Sequence, residues 1–370
     1  MDDTAAGAVT VEPAIDMVGL LTLAHQRGAS DIHLKVGNHP ILRIHGRLER
    51  AADLPVLDGA AARRLIESMM TDEQRAVFRE RLELDFAYSV PRLSRFRVNV
   101  YQQRGSIGAA IRAIPMGVPT VDDLGLPEVV RRFCALPRGL VLVTGPTGSG
   151  KSTTLAAMIN HINQTRAEHI VTIEDPIEYL HRDQQSVINQ REVGMDTLSF
   201  ADALRHVLRQ DPDVILIGEM RDLETIATAV TAAETGHLVF ATLHTQSAPA
   251  TVDRIIDVFP AHQQAQIRTQ LSAVLEGVLS QTLVPRADGR GRVAAVEVMV
   301  ATGAIRNLIR EGKTHQIPSL IQSGGREGMQ TLNQALRQLV DRRLITYEDA
   351  VSRSPSEREL AQLLGRPVPA

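Results

Sequence analysis

Aromatic residues and cysteine are scarce in this sequence. Its 370 residues include no Trp, 4 Tyr and 7 Phe, so a core must be built from Leu, Ile, Val, Ala and Met. The single cysteine, Cys134, excludes an internal disulfide and a cysteine-based zinc site, and it is typical of a reducing compartment. An excess of positive charge is also lacking. The net charge of -3 disfavours a dedicated nucleic-acid binder, which would present a basic surface.

Long hydrophobic runs are missing as well. The purely apolar runs, such as residues 214–217, have the length of a strand, whereas a membrane span needs roughly 20 residues. The N-terminus begins with acidic residues and has no basic region, so it does not match a secretory signal. We therefore expect a cytoplasmic chain with no direct membrane span. Attachment to a membrane machine through a partner stays open.

The length predicts more than one domain. Residues 1–15 are predicted to be a flexible tail, and residues 16–114 a small α+β domain. Residues 115–127 are rich in Pro and Gly, which favours a linker. Residues 128–370 begin with alternating strand and helix patterns, which predict an α/β domain with a parallel sheet covered on both faces, and continue into helical patterns.

A phosphate-binding loop is the strongest motif. Residues 145–152, GPTGSGKS, match G-x-x-x-x-G-K-[ST], with an apolar strand pattern before them and a helical pattern after them. Lys151 is expected to reach the β- and γ-phosphates, and Ser152 Oγ to ligate Mg²⁺. We therefore expect ATP and Mg²⁺ as cofactors. The expected nucleotide-binding residues are Gly145, Pro146, Thr147, Gly148, Ser149, Gly150, Lys151, Ser152 and Thr153.

Acidic residues follow two further strand patterns. Glu219 comes after the run 214–217, at a position where a carboxylate meets the hydration shell of the Mg²⁺ ion, which makes it a metal ligand through water. Glu174, Asp175 and Glu178 lie in the segment IEDPIE, where α/β domains bind ligands. One of these three is expected to orient or deprotonate the attacking water, and their spacing does not decide which one.

Histidines and arginines supply further candidates. His237 precedes an apolar strand pattern and His244 follows it, and a strand end near the γ-phosphate suits a sensor, although a lone histidine is more often structural. A P-loop ATPase that works as a ring needs a cation from outside its own site. Arg97 and Arg112 of the small domain are the leading candidates for it, and a solvated sheet edge is the alternative. Arg95 and Arg104 rank behind them.

Taken in order, these motifs resemble the secretion ATPase superfamily, and within it the retraction ATPases of type IV pili. The resemblance extends over about residues 16–350. It is carried by the P-loop, by IEDPIE and LRQDPDVILIGEMRD, and by segments 29–34, 95–99, 189–194, 236–245, 304–313 and 328–336.

This resemblance implies a PAS-like N-terminal domain followed by a RecA-like P-loop ATPase domain with a helical C-terminal part. It implies a homohexamer whose ATP hydrolysis drives pilus retraction and twitching motility. An inner-membrane pilus platform protein is the implied partner, and the implied location is peripheral to the inner membrane.

The resemblance also assigns roles. Glu178 falls on the catalytic glutamate, and Glu219 on the Walker B glutamate. His237 and His244 fall on the histidine box, and Arg97 and Arg112 match the trans-acting arginines.

Segment 304–311 has Ile305, Leu308 and Ile309 on one stripe, with Arg306, Arg310 and Glu311 predicted elsewhere on the surface. The resemblance makes this segment a surface that transmits motion to the pilus base.

Other functions stay open. Within the superfamily they are a pilus-assembly or type II secretion ATPase and an accessory retraction paralogue. The tetracysteine motif and the large adaptor domain of assembly ATPases are missing, which favours retraction. A RecA-like nucleic-acid translocase and a non-hydrolysing scaffold are the remaining alternatives.

Overall fold

The computed structural model describes residues 15–44, 46–114 and 117–367. The chain folds as two units, Met1–Met116 and Gly117–Ala370. The predicted flexible tail, residues 1–15, lies outside the described residues except for Ile15. Residues 117–127, which the sequence assigns to a linker, belong to the second unit, where Val121 and Leu126 are buried.

The first unit packs helices against an antiparallel sheet of order β3-β2-β1-β6-β5-β4. Its alternating sequence explains its core, because Phe96, Val98 and Val100 are buried on one face of a strand while Arg97 between them is exposed. Its elements are α1 (Met17–Gln26), β1 (Ala29–Lys35), β2 (Ile41–Ile44), β3 (Arg47–Arg50), α2 (Gly59–Glu67), α3 (Asp72–Arg81), β4 (Glu83–Val90), β5 (Ser94–Gln103) and β6 (Ser106–Ala113).

The second unit is built on a mixed sheet of order β13-β12-β7-β11-β10-β8-β9, in which only the β12–β13 pair is antiparallel. The elements as far as the last strand are α4 (Val129–Cys134), β7 (Gly139–Thr144), α5 (Lys151–Thr165), β8 (His169–Glu174), β9 (Val187–Glu192), α6 (Phe200–Val207), β10 (Val214–Ile217), α7 (Leu223–Glu234), β11 (Leu238–Leu243), α8 (Ala248–Asp257), α9 (Gln264–Val274), β12 (Leu275–Pro285) and β13 (Arg292–Val300).

Helices cover both faces of this sheet, as the continuous apolar strand patterns predict. In β7, Leu140 and Leu142 face the core that contains α7, whereas Val141 and Val143 face the core that contains α5. Strands β7 and β11 are fully buried on both sides, so only their ends are open to chemistry.

Helices make up the C-terminal part. They are α10 (Gly303–Glu311), α11 (Ile317–Ser323), α12 (Leu332–Asp341), α13 (Tyr347–Val351) and α14 (Glu357–Leu363), with 3-10 turns at Thr314–Gln316 and Gly325–Glu327; a further 3-10 turn, Ala261–Gln263, lies between α8 and α9. None of the helices in the described part of the chain has both the length and the apolar composition for a membrane crossing.

Candidate active site

The phosphate-binding loop joins β7 to α5 at the carboxyl edge of the sheet. Gly145 has φ +141° and Gly150, the N-cap of α5, has φ +89°, a region that side chains rarely adopt. A Cβ on Gly145 would also run into Ser149 Oγ, and a Cβ on Gly150 would lie 2.7 Å from Gln281 Nε2. Glycine is therefore required at both positions, and the first backbone N–H groups of α5 point at the loop. This geometry suits a bound phosphate chain.

Lys151 lies over this loop. Its Nζ donates hydrogen bonds to Gly145 O at 2.9 Å and Pro146 O at 3.2 Å. Burial lowers the pKa of Lys151 from its ordinary value, and the negative charge of Glu219 opposes that shift. The ammonium is thus held within reach of anions at the loop. Ser152, the next residue, is exposed at the same helix end.

Glu219 and His244 meet where the neighbouring parallel strands β10 and β11 end. His244 Nε2 is 2.9 Å from Glu219 Oε1, and Arg221 Nη2 donates to Glu219 Oε2 at 2.7 Å. The loop after β10 is fixed to β11, because Met220 N donates to Thr242 O at 3.0 Å. Burial by itself would raise the pKa of Glu219, but Arg221 and His244 hold it below its ordinary value. The carboxylate is therefore ionised at neutral pH.

The acidic segment after β8 separates its two glutamates. Glu174 Oε1 accepts a hydrogen bond from Thr172 Oγ1 at 2.7 Å, and burial raises the pKa of Glu174. Glu178 is exposed. The following residue, Tyr179, places its hydroxyl 3.1 Å from Thr153 Oγ1 in the first turn of α5. Glu178 thus belongs to a segment that touches the P-loop helix, whereas Glu174 is enclosed by hydrogen-bond donors.

His237 lies at the other end of β11. The pairing of β11 with β7 places Leu243 beside Thr144, next to the P-loop, but Leu238 beside Gly139, where β7 begins. His237 Nδ1 is 2.9 Å from Ala232 O, at the end of α7. The structure therefore brings His244, and not His237, to the carboxyl edge that carries the P-loop of the same chain.

A P-loop, an acidic segment and a Glu–His pair along one sheet edge agree with the sequence comparisons. The model of the type II/IV secretion system protein family matches residues 4–353. The chain belongs to this family.

Two relatives are similar to this chain over nearly its whole length. The chain is 54% identical to the type IV pilus retraction ATPase PilT of Pseudomonas aeruginosa over 336 residues, which are 91% of this chain and 97% of PilT. It is 43% identical to the type IV pilus ATPase PilU of the same organism over 345 residues, 93% of this chain and 90% of PilU.

A solved structure agrees with the sequence relatives. The crystal structure of the pilus retraction motor PilT with bound ADP superposes with a TM-score of 0.88 at 50% identity, covering 94% of this chain and 99% of that one. The fold class predicted from the sequence is therefore confirmed.

The arginines proposed for the secretion ATPase ring lie in the first unit, on neighbouring strands β5 and β6, where Arg97 pairs in register with Arg112. Both side chains are exposed. Arg112 Nε donates to Asp31 Oδ1 of β1 at 2.8 Å. Burial by itself would raise the pKa of Asp31, but this contact helps to hold that pKa below its ordinary value. Arg112 therefore has a partner within its own unit, which the sequence does not indicate.

Arg306, which the sequence places on the surface, is only partly exposed. Its guanidinium donates to Ser272 O and Ala273 O at the end of α9, at 3.0 and 2.8 Å, and to Glu276 Oε1 in β12 at 2.8 Å. Arg306 therefore ties α10 to the α9–β12 junction, because three acceptors from one junction converge on its fork. Arg310 is exposed, as expected.

Gln281 is a site residue that sequence reasoning missed. It lies in β12, is only 4% exposed, and donates from Nε2 to Ser149 O at 2.7 Å. Its Oε1 accepts from Thr154 Oγ1 of α5 at 2.8 Å. Gln281 thus supports the P-loop from the adjacent strand. No sequence signal singled it out, because Ser280 and Thr282 flank it in a strand of mixed polarity.

Proposed function

We propose that this chain binds and hydrolyses ATP. The P-loop glycines and the amino end of α5 bind the phosphates, and Lys151 turns its ammonium from the loop carbonyls to the β- and γ-phosphates. Bound Mg²⁺ would supply positive charge against the phosphates, with Ser152 Oγ as a direct ligand and Glu219 as a ligand through water.

Glu178 is the proposed base. A carboxylate oxygen of Glu178 takes the proton of the attacking water, since this side chain is exposed on the segment that Tyr179 fastens to α5. Glu174 is the poorer candidate, because its carboxyl is already engaged by Thr172 and its charged form is disfavoured by burial. His244 senses the γ-phosphate through its bond with Glu219.

We further propose that a homohexamer of this chain uses ATP hydrolysis to retract type IV pili and so to power twitching motility. The single observation that carries this proposal is the 54% identity to PilT across 97% of that protein. A pilus platform protein in the inner membrane is the proposed partner, so that the motor works on the cytoplasmic side of that membrane. Arg97 and Arg112 are proposed to act on the nucleotide of a neighbouring subunit.

Deletion of the gene in its host tests the motor function. The expected phenotype is more surface pili with loss of surface motility, restored by the wild-type chain but not by Lys151→Ala. Fewer pili would indicate an assembly ATPase. Normal pilus dynamics would contradict both roles, and retention of most motility would indicate an accessory paralogue. Strong stimulation of the ATPase by single-stranded DNA would favour a translocase instead.

A further inference from the structure

Segment 189–194, NQREVG, has no role in the function proposed above, yet its strand borders the acidic segment. Strand β9 forms one edge of the sheet and pairs in parallel with β8, so that Gln190 lies beside Thr172 and Glu192 beside Glu174. Because Gln190 and Glu192 are two residues apart in a strand, they point to the same face of the sheet.

Both polar atoms of the Gln190 side-chain amide bond the acidic segment or the residues that follow it. Its Nε2 donates to Tyr179 O at 2.9 Å and to Glu174 Oε1 at 3.1 Å, and its Oε1 accepts from His181 N at 2.9 Å. The chemistry of the partners fixes the amide orientation, because a flipped amide would direct oxygen at two acceptors and NH₂ at a donor. Gln190 therefore holds the backbone on the C-terminal side of Glu178.

The carboxylate of Glu192 holds the backbone on the other side. Glu192 Oε2 accepts from Ile177 N at 3.3 Å, and Glu192 is buried. The backbone on both sides of Glu178 is thus held by side chains of β9, while the Glu178 side chain is left exposed.

We propose that Gln190 is a positioning residue for hydrolysis: it fixes the backbone from Tyr179 to His181 and thereby sets the distance of the Glu178 carboxylate from the P-loop. The inference rests on the proposed role of Glu178. The segment reaches α5 through the 3.1 Å contact between Tyr179 and Thr153. Release of the backbone at Tyr179 and His181 therefore shifts the base relative to the phosphates, and a displacement of about 1 Å can cost on the order of 10²-fold in rate.

Gln190→Met tests this role, because methionine has nearly the same length and removes all three hydrogen bonds. We expect kcat of the full-length oligomer to fall by about 10- to 100-fold. The KM for ATP and the Kd for ADP should stay within about twofold, since the P-loop is untouched. Asn189→Leu is the matched control. It changes the neighbouring amide of β9, which bonds His169 Nε2 at 2.8 Å instead, and it should retain the wild-type kcat.

A double variant separates positioning from general damage. If Gln190 acts through Glu178, adding Gln190→Met to Glu178→Gln should slow hydrolysis no further. Gln190→Asn, which is polar but too short to reach both Tyr179 and His181, should reproduce the loss of kcat if the methionine variant does not fold.

Several outcomes would overturn the proposal: a normal kcat in the folded Gln190 variants, a raised KM at unchanged kcat, or a multiplicative loss in the double variant. Glu178→Gln also distinguishes this inference from the proposed function. If Glu178→Gln is inactive while Gln190→Met is normal, the positioning role of Gln190 is contradicted and the base assignment stands. If Glu178→Gln hydrolyses ATP normally, the base assignment fails and the positioning role fails with it.

Discussion

His244 Nε2 lies 2.9 Å from Glu219 Oε1, although 24 residues and helix α7 separate the two in the chain. The parallel pairing of β10 with β11 brings their carboxyl ends together, and Thr242 Oγ1 donates to Gly218 O beside them. The same edge carries the P-loop after β7. This contact therefore connects Glu219, the proposed ligand of Mg²⁺ through water, to His244, the proposed sensor of the γ-phosphate.

The two histidines of segment 236–245 should differ in their effect on hydrolysis. We expect His244→Ala to lower kcat by at least about tenfold, because it removes the contact with the Glu219 carboxylate. His237→Ala should cost less, since His237 bonds Ala232 O at the opposite end of β11. Steady-state ATPase assays of both variants, with melting curves, measure the difference. Equal losses in folded proteins would place His237 in the catalytic cycle as well.

Lys151→Ala should abolish hydrolysis, because loss of one preorganised charge contact costs on the order of 10²–10³ in rate. Glu178→Gln should bind ATP but not turn it over, as measured by nucleotide-binding and phosphate-release assays. Glu174→Gln is the matched control. It retains an oxygen that accepts from Thr172, and it removes a charge that burial disfavours, so most activity should remain. The reverse ranking of the two Gln variants would identify Glu174 as the base.

Mixed rings test the trans-acting arginines. Arg97→Ala and Lys151→Ala chains should each be inactive, while their mixture recovers some activity, because some interfaces then combine an intact P-loop with an intact arginine. A trans arginine is worth roughly 10³–10⁵ in rate in other NTPases. Mixed rings that are shown to be intact but recover no activity would contradict the assignment.

Arg112→Ala needs a separate control, since it also breaks the contact with Asp31. Asp31→Asn weakens the same contact while keeping the arginine. If Arg112 acts in trans, Asp31→Asn should retain far more ATPase activity than Arg112→Ala. Equal activity of the two variants would reduce Arg112 to a structural role.

Variants of Arg306 and Arg310 should distinguish the role of α10 in stability from its role in transmitting motion to the pilus. Arg306→Ala should lower the free energy of unfolding by about 2 kcal/mol, because carbonyls at the end of α9 and Glu276 lose a charged donor. Arg310→Ala removes an exposed side chain one turn along and should leave melting unchanged. If the exposed face transmits motion, Arg310→Ala lowers surface motility while the ATPase rate is retained. Parallel loss of ATPase and motility would place α10 in the catalytic cycle.

Local rules are sufficient for several features of this chain. A loop rich in glycine between an apolar strand and a helix predicts a phosphate site, because backbone geometry and helix ends act within a few residues. The alternation in β5 predicts which side chains are buried, since side chains along a strand alternate between faces. The continuous apolar runs of β7 and β11 predict a sheet covered on both faces.

The sequence by itself thus determined the two kinds of sheet, the phosphate loop and the residue types that surround it. Only the tertiary structure decided which of those residues meet. The order β12-β7-β11-β10-β8-β9 places Gln281 under the P-loop, His244 on Glu219 and Gln190 against the acidic segment. It also moves His237 away from them. Partners so distant in the chain are selected by strand order and register, which depend on how whole elements bury their apolar faces and leave no periodic signal around any single residue.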